Sequence, residues 1–276
     1  MNNYISRDNY MLFNSGKALS APLPSIAPYT LRFLFLDEDK YYNPLNYRFD
    51  YGTWTQRSDT IWDWTYEDPI WTYPSNITTN DKTVRKSILN RSNGESSALA
   101  NVKFKIIDSE TSGVTNMRGL FSYCGKLEGV EKIDTSNVTD VAYMFYFSHS
   151  AVEGYGPVRY INSTLDLSKV NYYNGTTCHG GLRYLFYTSG YSTQQYRMTT
   201  VPNIIWPDTT QVGYEVDMMY MFYKQRNITN NYEGRVYPSY WNLIQSPGGS
   251  FSYACYRCGD LGNATAYASI PSYLKG

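Results

Sequence analysis

Cys255-x-x-Cys258 has the spacing of a zinc knuckle or a redox pair, and Cys178-His179-Gly180-Gly181 sets a thiol beside a base. A structural zinc takes four ligands, and Cys124, Cys178, His149 and His179 are what remains to complete such a set. Adjacent residues seldom orient for base-assisted nucleophilic attack, and Cys178-His179 has no evident third partner, so an inserted loop is the expectation there. Asp37-Glu38-Asp39 could bind calcium but lacks the alternating oxygen ligands of a dedicated loop, and reads as a turn. Asp63, Glu67 and Asp68, set among tryptophans, have the residue types of a sugar-cleaving carboxylate pair on an aromatic platform. Aromatic packing is the commoner reason for such a cluster.

The elements that would have to position these residues announce themselves by repetition. Tyr143-Met144-Phe145-Tyr146, Tyr184-Leu185-Phe186-Tyr187 and Tyr220-Met221-Phe222-Tyr223 are one string written three times, with Gly119-Leu120-Phe121-Ser122 a weaker copy. Thr111-Ser112-Gly113-Val114-Thr115-Asn116-Met117 reappears as Thr135-Ser136-Asn137-Val138-Thr139-Asp140-Val141, a step of 24 residues. That period predicts stacked coils, each burying its apolar face on the next. Insertions separate the later copies, which open at Leu165-Asp166-Leu167 and at Asp208-Thr209-Thr210. A last copy places Ala254-Cys255 and Cys258 where Leu120-Phe121 and Cys124 stand in the first, so packing is the expected role of these cysteines, ahead of metal or disulfide.

Within a coil, Val-Thr-x-Met-x-x-Leu-Phe spaces apolar residues at i, i+3, i+6 and i+7, which predicts a short helix or helical turn capped by Thr115 or Thr139. The Leu127, Val130 and Ile133 segment that follows is the expected extended side. Phe121, Phe145, Phe186 and Phe222 should form one apolar spine, and the tyrosine pairs should stack beside it.

The pattern Thr-Ser-x-Val-Thr-x-Met-x-x-Leu-Phe-x-x-Cys from Thr111 to Cys124 resembles the BspA-like leucine-rich repeats of bacterial surface lipoproteins and gut bacteriophage proteins. The opening, with Ala21-Pro22-Leu23-Pro24, Tyr29-Thr30-Leu31-Arg32-Phe33 and Trp62-Asp63-Trp64-Thr65-Tyr66, is similar to virion proteins of tailed phages of gut bacteria, crAss-like phages included. The resemblance implies a solenoid with a binding or structural role and no shared catalytic residue.

Composition fits that expectation. Net charge is zero and 17% of residues are charged, below the roughly 25% of ordinary soluble domains. No basic run supplies the electrostatic term that nucleic-acid binding needs. Thirty tyrosines give a surface able to make many contacts at low entropic cost. Residues 1–27 show no basic start followed by an apolar stretch, no lipobox-like cysteine precedes Cys124, and no run is long enough to span a membrane.

The expected fold is α+β or mainly β: an extended arm and linker at 1–28, a β-rich unit at 29–110, and a degenerate BspA-like solenoid with insertions at 111–276. Residues 75–101 read as a long polar loop with a short helix near 84–89. The expected function is non-enzymatic, without cofactor or metal: a phage virion structural protein (fibre, head decoration or tail-associated component), made in the host cytoplasm, acting in assembly and host-surface attachment. The alternative is a bacterial cell-surface adhesin, and a carbohydrate-active enzyme is the third reading. Tyr4, Tyr10, Leu12 and Phe13 are candidate anchors to other virion proteins, in a homo-oligomer with a trimer preferred. Tyr143, Tyr146, Tyr184, Tyr187, Tyr220 and Tyr223 are candidates for binding a host glycan or protein. Neither nucleic acid nor membrane is an expected partner.

Overall fold

The structure is a computed structural model that describes residues 22–74, 86–89, 99–147, 156, 158–170, 181–188, 198–208, 217–229 and 253–276. It is mostly β with few helices.

The alternating Thr-Leu-Arg-Phe-Leu-Phe run forms β1 (Thr30–Phe35), and all six residues are buried because both faces of the strand are covered. Leu31, Phe33 and Phe35 join the main core on one face. The other face carries Leu34 and two polar residues that are paired: Thr30 and Thr65 share a 2.8 Å hydroxyl contact, and Arg32 grips Asp63 with two bonds of 2.7 and 3.0 Å. These partners lie directly opposite one another on β3 (Ile61–Thr65), so strand register alone brings them together. Residues of the linker close this face, since Arg32 Nη1 donates to the Pro24 carbonyl and the Thr30 hydroxyl to that of Pro28. The last part of the expected arm is thus fastened to the chain's own sheet.

The sheet order is β2-β3-β1-β4-β5-β6. β2 (Thr53–Gln56) forms a hairpin with β3, and β4 (Phe104–Glu110) pairs antiparallel with β1. Beyond β4 the pairing becomes parallel, to β5 (Leu127–Val130) and then β6 (Tyr160–Ile161). Parallel neighbours require the chain to return to the same end before each new strand, which is what the intervening turns do. A second, two-stranded parallel sheet joins β7 (Leu165–Asp166) to β8 (Ile204–Ile205). The first sheet crosses residue 110, so the β-rich unit and the first repeats share it. Gly129 is needed on β5 because the Tyr160 ring lies on it, where an added Cβ would come within 2.2 Å. The chain finishes with α1 (Ala264–Ser269), capped by the Asn263 side chain accepting from Ala266 N, and α2 (Ser272–Lys275).

Three expectations are corrected. No helix forms here: Asn116 and Asp140 in the Val-Thr-x-Met segments make β-bridges, the residues that follow make tight turns, and Thr115 and Thr139 do not cap them. Their hydroxyls donate to the carbonyls of Pro69 and Thr115, one copy back. Lys86–Leu89 is not helical, and Ile88, Leu89 and Leu99, inside the stretch read as a polar loop, are fully packed in the core. Trp71 does more than pack a β unit: its amide donates to the Asn116 carbonyl at 2.7 Å, and Ile70 bridges Asn116, which in turn bridges Asp140. Residues 69–71 therefore occupy the place of a preceding repeat copy and cover the first one.

Candidate binding surface

Each repeat copy makes two successive turns. Leu120, Met144, Leu185 and Met221 donate to the carbonyls of Met117, Val141, Leu182 and Met218, at 3.0–3.2 Å. The residue before each donor then opens a second turn, as in Tyr146 N to Tyr143 O at 3.1 Å and Tyr223 N to Tyr220 O at 3.2 Å. The shared residue must have positive φ, since it is the third residue of a type II-like turn. Glycine fills that place in the first copy (Gly119, φ 70°), but Tyr143, Tyr184, Tyr220 and Tyr253 fill it afterwards, with φ of 55–61°. Left-handed backbone costs an L-residue about 1–2 kcal/mol. Four repetitions of that cost at one position mean that the tyrosines are held there by their surroundings.

Those surroundings are the neighbouring copies. Backbone bonds join each turn to the next: Phe121 N to Met144 O, Phe145 N to Leu185 O, Phe186 N to Met221 O and Phe222 N to Ala254 O, all at 2.7–3.0 Å. Inside these rails the four phenylalanines stack face to face, with centroids 5.5, 5.4 and 5.0 Å apart. Arginines tie copy to copy from the polar side. Arg118 pairs with Asp140 at 2.9 Å and Arg183 with Asp217 at 3.0 Å, and each guanidinium also lies within 5.6 Å of a tyrosine ring centroid. Asn116, Asp140 and Asp217 fix the first turn by accepting from the amide two residues on.

The tyrosines form two parallel stacks. One runs Tyr143–Tyr184–Tyr220–Tyr253 with centroids 4.9, 4.9 and 5.3 Å apart. The other runs Tyr146–Tyr187–Tyr223–Tyr256 at 5.0, 5.0 and 5.1 Å. Edge-to-face contacts join the stacks within each copy, and Tyr123 adds one against Tyr146. All six sequence-named tyrosines therefore come together, but they are not equivalent. Tyr143, Tyr146 and Tyr184 are buried in an apolar cluster separate from the main core. Tyr187, Tyr220 and Tyr223 are half-buried. In the first stack exposure goes from 8% at Tyr143 and 6% at Tyr184 to 38% at Tyr253, and in the second Tyr146 is buried while Tyr187, Tyr223 and Tyr256 are half-buried. Tyr253 and Tyr256 escaped sequence reasoning, although Tyr253-Ala254-Cys255-Tyr256 repeats the spacing. The copy itself was recognised, but against Gly119-Leu120-Phe121-Ser122, whose flanking residues are not tyrosines.

The other candidates disperse. Asp63 is buried under Arg32 and under Arg57, whose Nε lies 2.7 Å from its second oxygen, while Glu67 is exposed and Asp68 Oδ1 caps a turn by accepting from Ile70 N. A carboxylate held by two guanidiniums is an acceptor already committed, so Asp63 serves the sheet. Asp37, Glu38 and Asp39 form a single 3-10 turn and take separate partners: Lys103 Nζ, Lys126 Nζ and the Lys103 amide. Cys255 and Cys258 are free thiols buried in the core, and burial pushes both well above the ordinary thiol range. Among the described residues no group of three His, Cys, Asp or Glu is placed to hold a metal, and no helix is long and apolar enough to cross a membrane. Cys178, His179 and His149 lie outside the described residues, as do Tyr4, Tyr10, Leu12 and Phe13.

A family described as Mycoplasma protein of unknown function, DUF285, matches residues 94–176. No curated protein and no solved structure matches the chain. The matched segment contains the first two repeat copies, and the match is consistent with repeats of the BspA-like kind.

Proposed function

We propose that the stacked turns are an irregular BspA-like solenoid, and that the chain is a non-enzymatic structural protein of a bacteriophage virion that displays this solenoid for attachment. The double tyrosine stack carries the reading. Aromatic rings with polar tips, repeated at about 5 Å and most exposed at one end, suit a contact surface rather than a reaction centre. The carboxylates that could have served a hydrolase support it from the other side, because Asp63 is locked between two arginines. In this reading Tyr4, Tyr10, Leu12 and Phe13 hold other virion proteins, and the copies assemble as a trimer.

Particles banded in a density gradient and probed with an antibody to this chain test the proposal. The chain should co-sediment with the particles in fixed ratio to a capsid protein. The family match to a Mycoplasma protein favours a second reading, a bacterial surface adhesin, and label confined to the cell envelope would replace the first reading with that one.

A further inference from the structure

Cys255 and Cys258 sit at the two ends of one tight turn, in which Cys258 N donates to the Cys255 carbonyl at 3.0 Å. Arg257, just before Cys258, has φ 54°, as the third residue of a type II-like turn requires. The ends of such a turn lie within about 7 Å, which overlaps the roughly 4.4–6.8 Å between the Cα atoms of a disulfide. Both residues belong to the main core, and both are fully buried free thiols. Residues 263–276 close this end of the array by holding the place of a further copy. Cys255 N donates to the Leu274 carbonyl at 2.7 Å, as Phe222 N does to that of Ala254 in the joint before. Leu274 N donates back to the Pro271 carbonyl at 3.1 Å, repeating the first turn of a copy. Arg257 N meets the Tyr267 hydroxyl at 3.2 Å, where Lys224 N meets the Tyr256 carbonyl. This cap is slight, since of residues 263–276 only Ile270 and Leu274 are buried. A segment that buries so little opens at lower cost than the array beneath it.

We propose that Cys255 and Cys258 are a redox pair gated by this cap, closing to a disulfide when the cap lifts. The step needs an oxidant of the disulfide class, for which glutathione disulfide serves. One cysteine thiolate attacks a sulfur of the oxidant and expels a glutathione thiolate. The second thiolate then attacks the protein sulfur of the mixed disulfide and expels the other glutathione. Two protein thiols thereby lose two protons and two electrons, and glutathione disulfide is reduced to two thiols. While the cap is down, burial pushes both thiols above their ordinary range, which leaves them protonated and inert. The cross-link ties a copy in which Ala254 and Cys255 lack the bulk of Met221 and Phe222 in the copy before it. A metal would need further ligands, and among the described residues no group of three His, Cys, Asp or Glu supplies them. In a chain displayed outside the cell, as proposed above, oxidising surroundings favour the cross-link, while a host cytoplasm keeps the pair reduced. The chemistry itself rests on the turn and its cap alone.

The test is incubation of the reduced full chain with glutathione disulfide at mildly alkaline pH, followed by peptide mapping in a mass spectrometer. A Cys255–Cys258 disulfide should form while Cys124, in the first copy, stays reduced. Leu274→Asp, which unseats the cap, should speed its formation about tenfold or more. Tyr267→Phe removes one hydroxyl from the joint and should speed it about fivefold. The cross-linked protein should melt higher than the reduced one. Glutathione adducts without the internal disulfide, parental rates in both variants, or a lower melting temperature after oxidation would overturn the proposal. So would Cys124 reacting in step with the pair in both variants, because the array would then open as a whole. A chain found on cell envelopes rather than particles would sink the virion reading and leave these rates untouched.

Discussion

In the antiparallel part of the sheet, Asp63 receives Arg32 from the facing strand and Arg57 from the hairpin. In the repeat copies, Arg118–Asp140 and Arg183–Asp217 are the same contact translated along the stack, each beside a tyrosine ring. The first region is specified by strand register, and its polar face is closed by residues of the linker. The second is specified by its neighbours: a left-handed tyrosine is tolerable only because rings and backbone rails lie above and below it. A defect in the hairpin region should therefore act through the groups it leaves unpaired. A defect in a middle copy should act on two interfaces at once.

The largest expected effect breaks the stack at its middle. Phe145 is fully buried and stacked on both Phe121 and Phe186, so Phe145→Ala should cost about 4 kcal/mol, the middle of the range for a buried phenylalanine. Phe222 meets a ring on one described side only, Phe186, with Ala254 and Cys255 beyond, and its truncation should cost less. Urea unfolding of both variants measures the difference. Equal losses would mean that the copies do not share their stability in the way proposed.

Asp63→Ala attacks the other region. It leaves Arg32 buried without its carboxylate and should cost roughly 3 kcal/mol, against well under that for Arg57→Ala, whose side chain reaches solvent. Chemical denaturation again reads it out. A loss below about 1 kcal/mol would show that water reaches Arg32 and that the linker does not seal that face.

Much of this comparison was legible in the residues. The phenylalanine spine and the paired tyrosines follow from strings that recur in order, because a translated copy must repeat whatever its neighbour leans on. The alternation of β1 likewise marked it as strand. The helix expectation failed for a physical reason: apolar residues at i, i+3, i+6 and i+7 also suit two consecutive tight turns whose partners lie in the next copy. Nothing local separates the two cases, except that Gly119 marks a left-handed place which later copies fill with tyrosine. Ile88, Leu89 and Leu99 were hidden by polar neighbours, since average composition says nothing about three side chains that fold inward. The pairing of Lys224 with Tyr256 was invisible for another reason, as 31 residues of sequence lie between two positions that one backbone bond brings together.

A third effect appears at alkaline pH and is the smaller one within the first pH unit above 9. Burial raises Cys255 and Cys258 above the ordinary thiol value of 9.0, so the folded protein keeps protons that the unfolded chain gives up. The stability they contribute is complete below pH 9 and falls as pH rises beyond it, by roughly 1 kcal/mol per pH unit for each thiol. Melting temperatures from pH 7 to 11 should show this descent, and Cys255→Ala/Cys258→Ala should flatten it. Some slope should persist from Tyr160, whose hydroxyl is raised above its ordinary 10.0 by burial and by donation to Glu131. An unchanged slope in the double variant would place solvent at the thiols.

The smallest effect tests whether the tyrosines are held in left-handed backbone by their neighbours. Tyr220→Ala and Tyr220→Gly remove the same ring, so both lose its stacking on Tyr184 and Tyr253. At an ordinary position the glycine variant would be the weaker, because glycine gains more freedom in the unfolded chain. At φ 60° the order should invert: alanine keeps the left-handed penalty while glycine is released from it, and Tyr220→Gly should be the more stable by about 1 kcal/mol. The mirror experiment is Gly119→Ala, in the copy that already uses glycine, which should lose about as much. No comparable inversion is expected on β1 at Leu34, where extended backbone favours alanine over glycine. If Tyr220→Ala proves the more stable of its pair, the turn has relaxed out of the left-handed region once the ring is gone. The stacked rings, rather than the backbone rails, would then be what imposes that conformation.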